Sequence, residues 1–294
     1  MERWARAKYQ PVIPLGEDGR RITGSKEHIM LSKDAAKEGM VLLKNQGNVL
    51  PLAKGSKVAL FGKATFDYVK GGGGSGDVTV AYTRNLYEGL KEKSGHVEIF
   101  EELVAFYREN VKEQYAQGKG PGMTVEPALP KELVNKAGAF TDTAIISICR
   151  FSGEGWDRKS IYDKKKKADD TVIAGQERKR DAEVEVFEDG DFYLTHGEKA
   201  MVETVMSSFR KVIVVMNVGG MVDTEWFAGE DRIQAVLMAW QGGIEGGLAA
   251  AELLIGEGNP SGKLSDTFAK RLEDYPSTIN FHESVDYVEY TDDI

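Results

Sequence analysis

The stretch Ala144-Ile-Ile-Ser-Ile-Cys149 is a short and almost continuous apolar run. Such a run is typical of a strand that is buried on both faces of a parallel sheet. Similar runs occur at three other places, which are Lys57–Gly62, Val212–Met216 and Ile233–Met238. Segments with helical spacing of apolar residues lie between them. The alternation predicts an α/β fold with a mostly parallel sheet and helices on both faces.

Three segments carry the clearest helical patterns. Thr195-His-Gly-Glu198 is a capping box, and the apolar stripe from Met201 to Phe209 behind it should pack on the sheet. His196 should then face the solvent in the first turn. Apolar residues from Ile244 to Ala251 repeat this pattern after paired glycines. Helical spacing from Ala36 to Leu43 predicts an earlier helix that ends near Asn45.

Composition and charge limit the classes of function. The chain has 294 residues, 41% hydrophobic and 29% charged, which is typical of a globular protein. A formal net charge of -9 argues against a nucleic-acid partner, because such partners require clustered basic residues. No run reaches the roughly 18 apolar residues of a membrane span, and the first residues lack the apolar core of a signal peptide.

The cysteine and histidine content argues against a disulfide or a metal site. Cys149 is the single cysteine and lies in an apolar run, so a buried, inert thiol and a reducing compartment are expected. None of the four histidines lies near another histidine or near the cysteine, so no metal-ligand spacing is present. The sequence therefore predicts a cytoplasmic protein with no metal, no cofactor and no membrane partner.

The chain divides into three predicted parts. Residues 1–31 form a polar N-terminal arm, residues 32–275 form the α/β domain, and residues 276–294 form a C-terminal extension. Within the domain, 17 of the 32 residues from 160 to 191 are charged. Mixed charge of this kind is typical of a solvated insertion. A basic patch for an anionic partner and a lid over a site are the alternatives for this segment.

A carboxylate follows the predicted strand directly. Phe151 to Arg158 reads Phe-Ser-Gly-Glu-Gly-Trp-Asp-Arg, so Glu154 has glycine on both sides at the carboxyl end of a strand. This is where α/β proteins commonly bind ligands, and glycine lets the backbone come close to one. Trp156 offers a flat apolar face for a sugar ring. The alternatives are a solvated turn with an ordinary glutamate, and core packing for Trp156.

The richest glycine cluster is Lys70-Gly-Gly-Gly-Gly-Ser-Gly-Asp77. It does not end in Gly-Lys-Ser/Thr, as a phosphate-binding loop of the Walker type would. A dinucleotide fingerprint would need a helix at once, whereas Val78–Tyr82 has an extended pattern. A flexible surface loop, or a loop packed against a ligand cleft beside Glu154, remains. Ser75 and Asp77 are candidates to bind a sugar hydroxyl or to position Glu154.

Taken together, five motifs resemble glycoside hydrolase family 3, in the order found in that family. The resemblance is to the C-terminal-type α/β sandwich domain alone and covers most of the chain from Ser32 onward. It implies a six-stranded sheet between helices, a three-layer αβα architecture. One departure is Ser265, where the family usually has proline. The motifs are Ala35–Asn45 with Leu50–Leu52, Gly71–Gly76, Ser152–Arg158, Trp240–Gly247 and Gly258–Leu264.

The resemblance implies retaining hydrolysis of β-glycosides, most often β-glucosides. In this family an aspartate nucleophile lies in a (β/α)8 barrel domain and a glutamate acid/base lies in the sandwich domain, where Glu154 matches its position. No barrel fits into 294 residues beside the sandwich, so half of an active site, inactive without a partner barrel, is expected. A rearranged order, with the sandwich before the barrel, is also expected. The alternative is a non-catalytic carbohydrate-binding or interaction domain.

Three further residues of these motifs can be interpreted from the sequence. Arg158 either contacts the substrate or pairs with Asp157 to hold the Glu154 loop. Trp240 follows a predicted strand and should be packed. Glu245 lies at a helix start, where the N-terminal dipole favours a carboxylate, and is not placed in the catalytic set.

Overall fold

The computed structural model describes residues 17–19, 22–154 and 186–278. Six strands form one sheet in the order β1-β6-β5-β4-β2-β3. All neighbouring pairs are parallel except β1 with β6, which is antiparallel at one edge. The predicted mostly parallel sheet of six strands is confirmed. The strands are β1 Val41–Asn45, β2 Ser56–Phe61, β3 Val97–Ile99, β4 Thr143–Arg150, β5 Lys211–Val218 and β6 Ile233–Met238.

Helices cover both faces of the sheet. One apolar cluster joins one face to α1, α2 and α7, and a second joins the opposite face to α3, α4, α5 and α6. Ile145 lies in the first cluster and Ile146 in the second, which explains why β4 is apolar at successive positions. The predicted αβα layers are confirmed. The helices are α1 Lys26–Gly39, α2 Leu86–Glu92, α3 Glu101–Ala116, α4 Lys131–Phe140, α5 His196–Ser208, α6 Glu225–Ala228 and α7 Gly246–Leu254.

The N-terminal helix differs from its prediction. It begins at Lys26, after the N-cap residue Ser25, and ends at Gly39. Met40 takes an extended backbone conformation and is buried, and the next five residues form β1. The predicted end near Asn45 was wrong because a short apolar run fits either a helix or a strand, and pairing with β6 decides for the strand.

The predicted domain limits are only partly covered. Most of the N-terminal arm, the segment 155–185 and residues 279–294 lie outside the described residues, and the predicted limits stay predictions. The helix α1 begins within the predicted arm. Val186 and Phe187, in the last part of the predicted insertion 160–191, are buried. The expectation of a solvated segment is therefore wrong for these two residues.

The parallel strands define a switch point in the sheet. From β2 the chain moves to β3 on one side, and it then returns to β4 on the other side of β2. The connections after β2 and β4 therefore diverge and leave a crevice outside the carboxyl ends of these two strands. Ligands in open α/β sheets bind in such a crevice.

Gly62 lets β2 leave the sheet beside β4. Its backbone has φ 94° and ψ 135°, which side-chain-bearing residues avoid. A Cβ atom at this position would collide with the backbone oxygen of Ser147 in β4. The start of the loop after β2 therefore requires glycine both for its conformation and for its close approach to β4.

Replacing Gly62 with alanine should destabilise the domain strongly. We expect Gly62→Ala to lower the free energy of unfolding by about 3 kcal/mol or more, because backbone strain and a steric clash add. Gly55→Ala is the matched control, since Gly55 also has a positive φ of 82° but open space around its Cα. It should cost about 1–2 kcal/mol. Urea unfolding measures the free energy of unfolding of both variants. Equal decreases in the two variants would contradict the clash at Gly62.

Candidate functional site

Two loops meet at the crevice with their backbones in contact. Gly71–Gly76, which follows β2, lies against the segment Ser152–Glu154, which follows β4. A Cβ atom on Gly153 would collide with the backbone of Gly73, and one on Gly74 would overlap the Glu154 side chain. The alternative of a glycine loop packed beside Glu154 is therefore the correct one.

Glu154 is exposed, and the glycine loop holds its carboxylate. The backbone N–H of Ser75 donates to Glu154 Oε2 at 2.5 Å. Hydrogen bonding from Ser75, first from its hydroxyl and then from its backbone N–H, lowers the pKa of Glu154. A general acid at neutral pH needs a raised pKa. The described residues therefore keep Glu154 as a carboxylate, and only a further negative charge or burial would raise its pKa.

Of the other predicted site residues, the structure brings Ser75 to Glu154 and gives Asp77 a different partner. Lys70 Nζ donates to Asp77 Oδ1 at 2.7 Å and to the backbone oxygen of Val78 at 3.0 Å. This ion pair joins the two ends of the glycine loop. Trp156 and Arg158, with Asp157, lie outside the described residues.

A cleft of about 690 Å³ opens beside these loops. One wall is the glycine loop and another is the segment 117–121. Val69, Met123 and Phe151 give it apolar surface. The charged residues of its lining are Lys70, Asp77, Lys119 and Glu154. Its size is within the range of small-molecule sites, and apolar walls with few polar groups are typical of them.

The motif Trp240–Gly247 fixes the start of the glycine loop. The backbone N–H of Gly243 donates to Lys70 O at 2.8 Å, and the Tyr68 hydroxyl donates to Gly243 O at 3.0 Å. A Cβ atom on Gly246 would overlap that hydroxyl group. The paired glycines of this motif therefore serve close packing against Tyr68, a role that the sequence pattern did not reveal.

Glu245 fixes the chain that follows the glycine loop, just before α2. Tyr82 donates its hydroxyl hydrogen to Glu245 Oε1 at 2.5 Å, and Arg84 Nε lies 3.1 Å from Oε2. Glu245 is buried and directly precedes α7, as expected for a carboxylate at a helix start. The sequence analysis missed its contacts because they depend on how the chain folds back. Trp240 is partly buried beside Phe268, as predicted.

A buried polar cluster lies beneath the loops. Lys63 Nζ lies 3.2 Å from Asp67 Oδ2 and 3.6 Å from Cys149 Sγ. Burial alone would raise the pKa of Asp67, but Lys63 and several hydrogen bonds lower it overall. Burial raises the pKa of Cys149 to about 12, so its thiol is neutral. The predicted burial of Cys149 is confirmed.

Within residues 17–19, 22–154 and 186–278, no group of three histidine, cysteine, aspartate or glutamate side chains is arranged to hold a metal ion. His196 is 68% exposed, as predicted. No helix in the same part of the chain is sufficiently long and apolar to span a membrane.

The fold and site together define a doubly wound α/β domain with a carboxylate at its switch-point cleft. Residues 40–294 match the model of the glycosyl hydrolase family 3 C-terminal domain, and the chain belongs to this family. It is similar to β-glucosidase A of Butyrivibrio fibrisolvens, with 61% identity over all of this chain and 35% of that protein. It is also 36% identical to a β-glucosidase of Ruminococcus albus, over 91% of this chain and 26% of that protein.

Solved structures show the same relationship. A β-glucosidase from Paenibacillus barengoltzii superposes with a TM-score of 0.72 at 35% identity, over 88% of this chain and 26% of that protein. β-Glucosidase 3B from Thermotoga neapolitana in complex with glucose gives 0.69 at 32% identity, over 90% of this chain and 34% of that protein. The chain thus spans about a third or less of the relatives that it matches.

Removing the Ser75 hydroxyl should raise the pKa of Glu154 towards its usual value. Ser75→Ala removes the largest cause of the lowered pKa but keeps the backbone N–H, so the rise should be partial. Carboxyl carbon NMR titration of Glu154 measures it. Ser207→Ala is the matched control, because the Ser207 hydroxyl donates to Glu203 O on α5 and does not line the cleft, so its loss should leave the pKa of Glu154 unchanged. An unchanged titration in Ser75→Ala would contradict the assignment.

Proposed function

We propose that this chain is the acid/base-bearing domain of a retaining β-glycosidase, and that Glu154 is the acid/base residue. The observation that carries the proposal is the position of Glu154. It is an exposed carboxylate at the switch-point cleft, and the glycine loop holds it where Gly72, Gly74 and Gly153 leave no room for a Cβ atom. The relatives are named β-glucosidases, which supports a β-glucoside or related oligosaccharide as substrate.

The chemistry requires a second carboxylate. In a retaining mechanism one carboxylic acid protonates the leaving oxygen, and a carboxylate about 5–5.5 Å away attacks the sugar. In the described part of the chain, Asp77 is the other acidic residue that lines the cleft, and it pairs with Lys70. We assign the nucleophile to an aspartate of a (β/α)8 barrel domain or polypeptide that binds this domain.

The lowered pKa of Glu154 is consistent with an active site whose two carboxylates lie on different domains. The described residues stabilise a carboxylate, which cannot donate a proton. A barrel that places a second carboxylate nearby and excludes water would raise the pKa of Glu154. The domain alone is therefore expected to be inactive.

The proposal also gives roles to the other predicted site residues. Ser75 positions Glu154 through its backbone N–H, and Asp77 with Lys70 holds the glycine loop while offering oxygen atoms to a sugar hydroxyl. Trp156 and Arg158 stay candidate substrate contacts. The proposed partners include neither a nucleic acid nor a membrane, and the proposed reaction needs no cofactor. A cytoplasmic location is proposed on the single, buried, free cysteine.

The second candidate is a non-catalytic carbohydrate-binding domain. The cleft favours it, because apolar surface suits a sugar ring, and polar groups beside it can bind sugar hydroxyls without a catalytic acid. In this case Glu154 would be an ordinary carboxylate, as its lowered pKa in the described chain allows.

Loss of the Glu154 carboxyl should slow hydrolysis by the assembled enzyme. We expect activity towards an aryl β-glucoside from the mixture of this chain with its barrel polypeptide, and none from either alone. In Glu154→Gln the rate should fall about 10²-fold or more with a poor leaving group, because general acid catalysis contributes this much. Azide should partly restore it with an activated aryl β-glucoside, since azide needs no general base.

Glu98→Gln is the control, because Glu98 is an exposed carboxylate on β3 that pairs with Lys57 and does not line the cleft. Equal rates in Glu154→Gln and the control would refute the proposal. Thermal stabilisation by glucose without any turnover in the mixture would favour the binding domain.

A further inference from the structure

Arg150 is the last residue of β4, and its side chain is fully buried among hydrogen-bond acceptors. A guanidinium group has five N–H groups, and Arg150 makes five hydrogen bonds of 2.6–2.9 Å. Three go to backbone oxygens and two go to the carboxylate of Glu198. The acceptors are Cys149 O, Asp191 O, Tyr193 O, Glu198 Oε1 and Glu198 Oε2.

These bonds join the two ends of one long excursion of the chain. Cys149 lies where the chain leaves the sheet, and Asp191 and Tyr193 lie where it returns to α5. Glu154 lies within this excursion. One side chain therefore fixes where the excursion begins and where it ends, and closing a loop in this way reduces the conformations open to it.

Glu198 completes this arrangement. Its carboxylate accepts both hydrogen bonds of the Arg150 fork, at 2.9 and 2.7 Å, and it also accepts the backbone N–H of Thr195 at 2.9 Å. Burial alone would raise the pKa of Glu198, but Arg150 lowers it overall, so the pair is ionised. The fork is thus tied to the first turn of α5 as well as to the backbone.

The position of this pair matters for Glu154. The β4–β5 ladder pairs Arg150 with Val218, and only three residues separate Arg150 from Glu154, so Glu154 lies at most about 14 Å along the chain from this anchor. A general acid must lie within hydrogen-bond distance of the leaving oxygen, about 3 Å. A buried ion pair is a poor stabilising device, because apolar residues of similar volume often do as well. Stability alone therefore does not account for this pair.

We propose that Arg150 and Glu198 are positioning residues that hold the Glu154 loop in place for proton donation. The inference rests on the proposed function of Glu154. It predicts that changing Arg150 or Glu198 lowers kcat/KM most for substrates whose leaving group must be protonated by Glu154. Dinitrophenolate leaves without protonation, whereas an alkoxide requires it.

The test uses Glu198→Gln and Arg150→Lys in this chain assembled with its barrel polypeptide. We expect kcat/KM to fall at least about tenfold for an alkyl β-glucoside and less than about twofold for 2,4-dinitrophenyl β-glucoside, since misplacing a reacting group is costly only where that group acts. Arg150→Lys keeps the positive charge but cannot make the paired hydrogen bonds of a guanidinium group. Its decrease in kcat/KM should therefore be smaller than that of Glu198→Gln.

Glu252→Gln is the matched control. Glu252 is also a buried carboxylate, with Lys33 and Lys37 at 2.7 Å, but it joins α1 to α7 on the opposite face of the sheet. Glu252→Gln should lower the melting temperature about as much as Glu198→Gln does. It should leave the ratio of kcat/KM values for the two glucosides unchanged. A change of this ratio in Glu252→Gln equal to that in Glu198→Gln would overturn the proposal.

Hydrogen exchange gives a readout that does not depend on activity. In the full chain, Glu198→Gln should speed amide exchange at Phe151–Glu154, and Glu252→Gln should not. Unchanged exchange there, or equal losses with both glucosides, would refute the positioning role. Glu154→Gln, measured in parallel, separates the two hypotheses: if it discriminates between the glucosides and Glu198→Gln does not, only the present inference fails. If Glu154→Gln has no effect, both fail.

Discussion

The structure of the site depends on one constraint, the direct contact between the backbones of two loops. The loops after β2 and β4 approach so closely that a Cβ atom on Gly153 would collide with the backbone of Gly73, and one on Gly72 would collide with the backbone oxygen of Ser152. This contact places the N–H of Ser75 on the carboxylate of Glu154. Four successive glycines carry a high entropy cost of ordering, which the fold must offset elsewhere. Asn217 at the end of β5 does part of this, because its amide bonds both polar backbone atoms of Val69.

The same constraint explains why charged side chains are buried beneath these loops, at the edge of an otherwise apolar sheet. Loops that turn sharply at a sheet edge leave backbone N–H groups without partners in regular structure, and burying them unpaired is costly. Asp67 accepts the N–H groups of Gly122 and Thr124, and Glu126 accepts that of Lys63. Glu126 is buried, and burial raises its pKa to about 7. The carboxylates substitute for the secondary structure that the loops lack.

The sequence predicted the features that depend on local pattern. The apolar runs gave the central strands, and the capping box gave the start of α5. Glycine content left two alternatives for Lys70–Asp77, a flexible surface loop and a loop packed against a cleft, and the contact with Glu154 decides for the second. Met40 and Leu43 were assigned to a helix because a short apolar run does not distinguish helix from strand. Only pairing with β6, almost two hundred residues away, decides it.

Long-range polar contacts were beyond sequence reasoning for a different reason. Arg150 directly follows the predicted strand Ala144–Cys149 and extends it in the structure, and Glu198 is part of a predicted capping box that the structure confirms. Nothing local indicates that the two side chains meet, because the segment between them is 47 residues long and its length does not determine where it returns. Glu245 is the same case, since its position at a helix start explained it fully without Tyr82 and Arg84.

The electrostatics of Glu154 suit an active site that is shared between two domains. A carboxyl group poised as an acid in an open loop would need a low-dielectric pocket of its own, and the described residues provide hydrogen bonds that favour the ionised form instead. Under the proposed function, the barrel then supplies both the nucleophile and the negative charge that raises the pKa of Glu154. Acid strength and nucleophile would thus arise together on assembly, so an unassembled domain would not expose a competent acid to water.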